Sequence, residues 1–300
     1  MNPRLVYLYL FTAISAWGSM YVVSKFVLAA VPSFTVLFIR YLLAGAALLL
    51  LLGRSKHPPI EKKDYKYIFL VGFLGYFLST GAQLLGTSLT DASLAALINS
   101  LNPIFIMLFA VPVLHEKLTL YKGISVLTSL AGVYIIIGGA GEGGRLIGSL
   151  VSLFSVVTWS LTSVALRQVM QKYNPLLITA YGMLVAIVCS LPVALLELSN
   201  APQARQALFD PAIIGGLIYI GLICTALAHF LWNKSLSIIE AGSCALFYPL
   251  QPLTAAFLGF LFLDEKLTFA FFSGGGLIVS GILFSVLAPV YLHRSQHASS

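Results

Sequence analysis

Apolar runs of about 20 residues, the length that crosses a bilayer as a helix, follow one another along the whole chain, broken by short polar clusters. Ten segments qualify: residues 5–27, 34–53, 67–88, 92–113, 120–139, 147–168, 176–196, 212–236, 241–262 and 269–291. Helix-stopping stretches rich in Gly, Pro and charge separate them. "GRSKHPPIEKKDYK" follows the second, "GGAGEGGR" the fifth, and "KYNP" and "SNAPQARQALFDP" precede the seventh and eighth. The opening "MNPRLVYLYLFTAISAW" places Arg4 before an apolar stretch, as a signal peptide does. The run continues to about Val23 without an A-x-A cleavage site, so it is expected to be retained as the first span.

The pattern repeats. "LHEKLT" at Leu114 to Thr119 returns as "LDEKLT" at Leu263 to Thr268, 149 residues later. At the same offset Gly72 meets Gly221, Ala92 meets Ala241, Pro103 meets Pro252, Gly132 meets Gly281, and Asp91 falls on Glu240. Near the start of each half the offset is 142, pairing Trp17 with Trp159 and Lys25 with Arg167. The expected architecture is therefore all-α and membrane-integral, with ten transmembrane helices arranged as two five-helix repeats. Five is odd, so the second copy enters from the opposite side, an inverted repeat of the kind found in many secondary transporters. The repeats are expected at 1–139 and 147–300, joined by an outer linker at 140–146. Gly139 to Gly144 also spells G-x-G-x-x-G, but a dinucleotide site needs a preceding strand. Each EKLT is expected to mark the water boundary between the fourth and fifth helices of its half, with Thr119 or Thr268 capping the next helix.

Composition agrees. The chain of 300 residues is 59% hydrophobic and only 9% charged, against about 25% charged in soluble domains; its mean hydropathy is +0.96. The net charge of +7 is explained by topology and calls for no nucleic acid. Twelve of the 17 Lys and Arg fall on the side that holds both termini, four on the other, and Arg40 within a span. Cytoplasmic loops collect such residues, which places both termini in the cytoplasm of a multi-pass protein of the cell (inner) membrane. The cysteines, Cys189, Cys224 and Cys244, lie inside apolar segments and form no CxxC pair. No metal site or cofactor is expected.

Ten spans, an inverted five-plus-five repeat, and "NSLNP" or "YPLQP" followed by an (H/D)EKLT boundary in each half resemble the EamA-like family of the drug/metabolite transporter superfamily. The resemblance covers nearly the whole chain. It implies a secondary transporter of small polar metabolites, amino acids among them, or drugs, often an exporter, with the path between the two halves.

Polar groups inside spans face a cavity or another helix, because lipid penalises them. Pro103 has no N–H to offer the Asn99 carbonyl, nor Pro252 that of Tyr248, nor Pro249 that of Ala245. Each half is thus expected to hold a kink, a freed carbonyl and two polar side chains at i, i+3: Asn99 with Asn102, Tyr248 with Gln251. These line the path in one reading and serve helix packing in the other. Trp17, Tyr21 and Ser24 on the first span, with Trp159, Thr162 and Ser163 on the sixth, offer aromatic and hydroxyl surface to a small amphipathic ligand. Gln83 is a further candidate for the cavity wall. Arg40 either snorkels, pairs with an acid, or holds a substrate carboxylate. His229 either relays protons or hydrogen-bonds a neighbour. Glu197, Asp91 and Glu240, at span ends, are expected to be solvated. Gly276 and Ser280 give a small-xxx-small spacing that suits helix packing or a homodimer seam.

No Walker motif is present, so uphill movement needs a gradient, with a proton or an exchanged metabolite as the coupling partner. The competing classes are an intramembrane enzyme and a non-transporting sensor or scaffold. The first lacks a nucleophile–base pair; His115-Glu116 has no remainder of H-E-x-x-H.

Overall fold

The computed structural model describes residues 3–54, 60–114, 120–138, 143–170, 172–236 and 247–298, and among them the regular structure is helical throughout. Six helices are long and apolar enough to cross a membrane: Leu5–Leu28, Ser33–Leu52, Lys62–Leu89, Arg145–Leu166, Leu176–Asn200 and Pro211–Trp232. Four shorter apolar helices, Ala92–Ile106, Gly123–Ile135, Leu250–Leu263 and Phe269–Phe284, fall on the fourth, fifth, ninth and tenth predicted segments.

The first span is α1 (Pro3–Leu28) and the second α2 (Ser33–Leu52). The third joins α3 (Tyr65–Leu70), a π-helical stretch (Val71–Ser79) and α4 (Thr80–Leu89). Then come α5 (Ala92–Asn99), α6 (Asn102–Leu114) and α7 (Leu120–Gly138). The second half runs through α8 (Gly143–Met170), α9 (Pro175–Asn200) and the short α10 (Pro202–Ala207). Next, α11 (Pro211–Ile218), a second π-helical stretch (Tyr219–Leu227) and α12 (Ala228–Leu236) form one span, followed by α13 (Leu250–Leu263) and α14 (Phe269–Ala298).

The principal interfaces cross between the halves. They pair α7 with α14, α2 with α9, α4 with α8, and α1 with α13 and α12. The polarity of the bundle is inverted relative to a soluble protein. Large apolar side chains such as Leu50, Val188, Leu195, Phe257 and Phe260 are exposed, whereas Arg40, Asn99, Asn102, Thr225 and Gln251 are buried. Hydrocarbon around the bundle and polar contact within it account for that distribution.

Three expectations are corrected. The fourth span breaks, rather than bending as one helix: α5 ends at Asn99, Ser100 and Leu101 form a turn, and α6 starts afresh at Asn102 with Pro103 in its first turn, where proline's missing N–H costs nothing. The ninth-span counterpart starts likewise, with Phe247 to Pro249 in a turn and Gln251 and Pro252 opening α13. The Tyr248 carbonyl is not left free, since it accepts the Gln251 amide at 3.0 Å.

Glu197 and Glu265 are helix caps. Glu197 on α9 accepts from the Phe34 amide (3.2 Å), the Thr35 amide (2.7 Å) and the Thr35 hydroxyl (2.9 Å) at the start of α2. Glu265, in the second copy of the doubled motif, is buried and accepts from the Ala92 amide (2.5 Å), the Ser93 amide (3.0 Å) and the Ser93 hydroxyl (2.5 Å). Asp264 makes this possible by ending α13 in the left-handed region, at φ 52°, a conformation Asp tolerates better than most residues. Glu265 then folds back over Gly259, where an added Cβ would meet its Oε2 at 2.6 Å. So this copy of the motif ties the ninth span to the fourth, while its Thr268 caps α14 as expected, accepting from the Phe271 amide at 3.2 Å. Asp91 pairs with Arg145.

Of the two readings of Gly276 and Ser280, helix packing at the α7–α14 seam does not hold: both are exposed, and nothing lies within 4 Å of a Cβ placed at Gly276. Gly132 and Gly281 make that contact instead, against Gly274, Ile278, Ser125 and Ser129. The expectations for His115 to Thr119, Gly139 to Glu142, Glu240, Cys244 and Ala245 lie outside the described residues.

Candidate functional site

The π-helical stretches organise the interior. In a π turn the carbonyl–amide register widens to i→i+5, and one threonine hydroxyl closes onto each. Thr80 Oγ1 donates to the Gly75 carbonyl at 3.3 Å, and Thr225 Oγ1 to that of Ile220 at 2.8 Å. Each hydroxyl oxygen also receives a donor from α2. Tyr41 Oη reaches Thr80 at 2.9 Å, and Arg40 Nε reaches Thr225 at 2.6 Å. Consecutive residues of one helix are therefore pinned to the third and the eighth spans.

Arg40 does not snorkel. It is 3% exposed, its guanidinium lies 5.5 Å from the Tyr41 ring centroid, and its Nη1 has no hydrogen-bond partner. Thr225, which takes Arg40 Nε on its hydroxyl, also takes His229 Nδ1 on its carbonyl, so one residue holds both side chains.

Tyr21 is the hub of a second group. Gln83 Nε2 donates to its hydroxyl at 2.5 Å, and Gln251 Nε2 at 3.4 Å. Three of the expected site residues, from the first, third and ninth spans, thus meet at one oxygen. Beside them runs an aromatic row. Trp17 stands edge-on to His229 (5.2 Å between centroids) and close to Trp232 (5.5 Å), which in turn meets Tyr248 edge-on (5.3 Å). His229 Nδ1 is 2.8 Å from the Thr225 carbonyl; a carbonyl only accepts, so that nitrogen donates. His229 bonds its own helix and not a neighbouring one. Trp159 sits on the opposite side, 5.7 Å from Tyr76, which meets Tyr41 at 5.7 Å.

Asn99 and Asn102 form a separate cluster. Asn102 Nδ2 donates to both the Asn99 carbonyl and its Oδ1, each at 2.8 Å, and Ser160 Oγ donates to Asn102 Oδ1 at 3.1 Å. The carbonyl that Pro103 cannot serve is served by the side chain one residue before it. This pair fixes the break between α5 and α6 to the sixth span.

The sequence reading missed Tyr41, Tyr76, Ser160, Thr225 and Trp232. Their signal was present, as polar or aromatic residues inside apolar runs, but no spacing singled them out. Among the described residues, no group of three His, Cys, Asp or Glu side chains is placed to hold a metal.

Ion pairs close the bundle at both ends of the third span. At one, Lys172 bonds Glu61 and Asp64, each at 2.6 Å, and Tyr173 donates to Asp64 at 2.7 Å. Asp64 and Glu61 hold the Lys172 ammonium above its ordinary pKa, and Lys172 with Lys63 holds the Glu61 carboxyl below its own. At the other, Arg145 pairs with Asp91, and Lys25 Nζ donates to the carbonyls of Thr87 (3.1 Å), Ser88 (2.9 Å) and Thr90 (2.5 Å). A surface cleft of about 600 Å³ lies between the Leu28–Pro32 and Asn200–Ala204 turns, away from all of these interior groups.

Comparison with known proteins gives a consistent answer. The uncharacterized transporter YetK of Bacillus subtilis (strain 168) is 26% identical over 288 residues, covering 94% of this chain and 86% of that protein. An uncharacterized transporter of Archaeoglobus fulgidus is 23% identical over 276 residues, covering 91% and 95%. One solved crystal structure shares the fold with a TM-score of 0.63 at 20% identity, over 96% of this chain and 99% of that one. The profile of the EamA-like transporter family matches residues 4–138 and 146–287. The chain is a multi-pass membrane protein and belongs to the EamA-like transporter family.

Proposed function

We propose that the protein is a secondary transporter that moves small polar metabolites, amino acids or related compounds among them, or drugs across the cell membrane by alternating access, with export as the net direction. It is a carrier and not an enzyme. Its spans number ten, in two inverted five-helix repeats at 1–139 and 147–300 joined by 140–146, with both termini cytoplasmic. The matched π-helical stretches in the third and eighth spans and the crossing pairs α2–α9 and α7–α14 support that symmetry.

The observation that carries the reading is the buried polar interior: Arg40 with an unpartnered Nη1, the Tyr21–Gln83–Gln251 group and the Trp17–His229–Trp232–Tyr248 row all meet at the boundary between the halves. Such groups are costly inside a membrane bundle unless a substrate or water uses them. Pro103, Pro249 and Pro252 sit where α6 and α13 begin, and serve as the hinges at which the two halves flex. A proton or an exchanged metabolite supplies the drive, and His229, whose ring lies 5.2 Å from that of Trp17, is the group in the row able to carry a proton.

The test is flux from proteoliposomes loaded with a mixture of amino acids, organic acids and other small metabolites, with and without an imposed proton gradient. Protein-dependent release of any one compound is expected, and its response to the gradient identifies the coupling. No release across the panel, from protein that remains folded, sinks the proposal in favour of a sensor or scaffold.

A further inference from the structure

Arg40 is a buried charge, with an unpartnered Nη1, that helix packing leaves unexplained. An unpaired buried guanidinium is expensive, and proteins rarely keep one without a counter-charge. Among the described residues Arg40 makes no ion pair. Asp64, Asp91, Glu197, Asp210 and Glu265 lie at helix ends, where Lys172, Arg145 or backbone amides already hold them. The Thr225 bond fixes Nε and so fixes the plane of the guanidinium, while Nη1 stays free. Planar, oriented N–H donors of this kind match a carboxylate.

The same census says what the ligand lacks. A zwitterion brings an ammonium group that needs a carboxylate or a cluster of free acceptors. Thr225, which holds Arg40, already donates its hydroxyl and takes His229 Nδ1 on its carbonyl, and the Tyr21 hydroxyl, one turn along α1 from Trp17, already accepts from two amides. Aromatic surface from Trp17, Trp232 and Tyr248 stands alongside. Deepening the transport reading on which it rests, we infer that the site selects a net anion: an organic carboxylate without a free ammonium group, carrying an aromatic or branched apolar body against the tryptophans.

The test is ligand stabilisation of the purified full-length protein, read as thermal unfolding in detergent. The probes are phenylpropanoate, phenylalanine and phenethylamine, one body carrying a net negative, zero or net positive charge. The anion is expected to stabilise the protein most. Arg40→Gln is expected to weaken the anion's apparent affinity by about tenfold to a hundredfold, the range for a lost hydrogen bond to a charged group, and to erase the preference. Arg40→Lys, which keeps the charge but loses the fork, is expected to fall between. Should Arg40→Gln fail to fold, a weakened anion affinity in Arg40→Lys supports the inference and an unchanged one overturns it. Equal stabilisation by all three probes, a preference for phenylalanine or phenethylamine, or no stabilisation at all also overturns it. Anion binding without flux in proteoliposomes counts against transport and leaves this inference standing. Flux without charge preference does the reverse.

Discussion

At the scale of single residues, the interior is held by side chains that each do two jobs. The Tyr21 hydroxyl is the point where the first, third and ninth spans meet, because two amides end on one oxygen. Tyr21→Phe removes that acceptor and leaves both amides without it, a loss of about 1–3 kcal/mol. A measured decrease in thermal stability that Gln83→Leu largely cancels in the double variant is the expected outcome; additive losses would show that the bond carries no coupling. Glu265 is the other case. Its carboxylate holds the start of α5 from 172 and 173 residues away in sequence. Glu265→Ala is expected to cost about 0.5–2 kcal/mol, the usual worth of a helix cap, whereas an exposed boundary residue would cost almost nothing. That difference also shows where sequence reading stopped. The doubled motif was visible as a string, but Glu265 reads as a water-facing boundary until the fold brings Ala92 to it. Glu197 was mistaken for a solvated end for the same reason. A cap within one loop is legible from spacing; a cap reaching across the bundle is not.

At the scale of elements, the apolar runs located the helices well, because lipid solvent demands long hydrophobic segments and sequence states their length directly. The i, i+3 pairing of Asn99 and Asn102 was legible too, since it is local. The π-helical stretches were not. Their widened register is set by what packs against them: Gly72 lets the third span lie on α9, where an added Cβ would meet the Gly182 carbonyl at 2.5 Å and Val185 Cβ at 2.5 Å. At the equivalent position Gly221 lets the eighth span lie on α2, against Leu43 Cβ at 2.8 Å and the Arg40 carbonyl at 3.3 Å. The match at offset 149 was apparent in the sequence, but its reason is close approach on opposite sides of the bundle. Gly72→Ala is therefore expected to be the more disruptive, because its backbone obstacle lies at 2.5 Å against 3.3 Å at Gly221. Overpacking of this kind costs about 1–3 kcal/mol. Gly221→Ala is expected to act differently: by pushing on the Arg40 backbone it should disturb ligand binding more than unfolding temperature. Melting curves with and without phenylpropanoate separate the two, and equal losses in both variants would count against the division.

At the scale of the whole molecule, the question is how a closed bundle becomes a carrier. The third span runs unbroken from Lys62 to Leu89, so Asp64 and Asp91 lie near its opposite ends, about 40 Å apart at 1.5 Å per residue. Both ends are tied to neighbouring segments of the second half, through Lys172 at one and Arg145 at the other. An interior reached alternately from each side requires these ties to break one at a time, since opening both together would give a pore. Neither pair is buried deeply enough to be worth much in isolation: Lys172 and Arg145 are 43% and 37% exposed, and exposed ion pairs are screened by salt. Weak ties suit a gate, which must open at thermal cost. A covalent tie would not. With the three native cysteines replaced by alanine, Asp64→Cys/Lys172→Cys and Asp91→Cys/Arg145→Cys each place a thiol pair across one end. Bridging either pair with a bifunctional methanethiosulfonate reagent, long enough to span the shortened side chains, is expected to stop net flux in proteoliposomes, and reductant to restore it, while the same cysteines introduced singly leave flux near the starting level. Flux that continues with one end cross-linked would mean that this end does not open during transport. The substrate would then pass by a route other than the one between the halves.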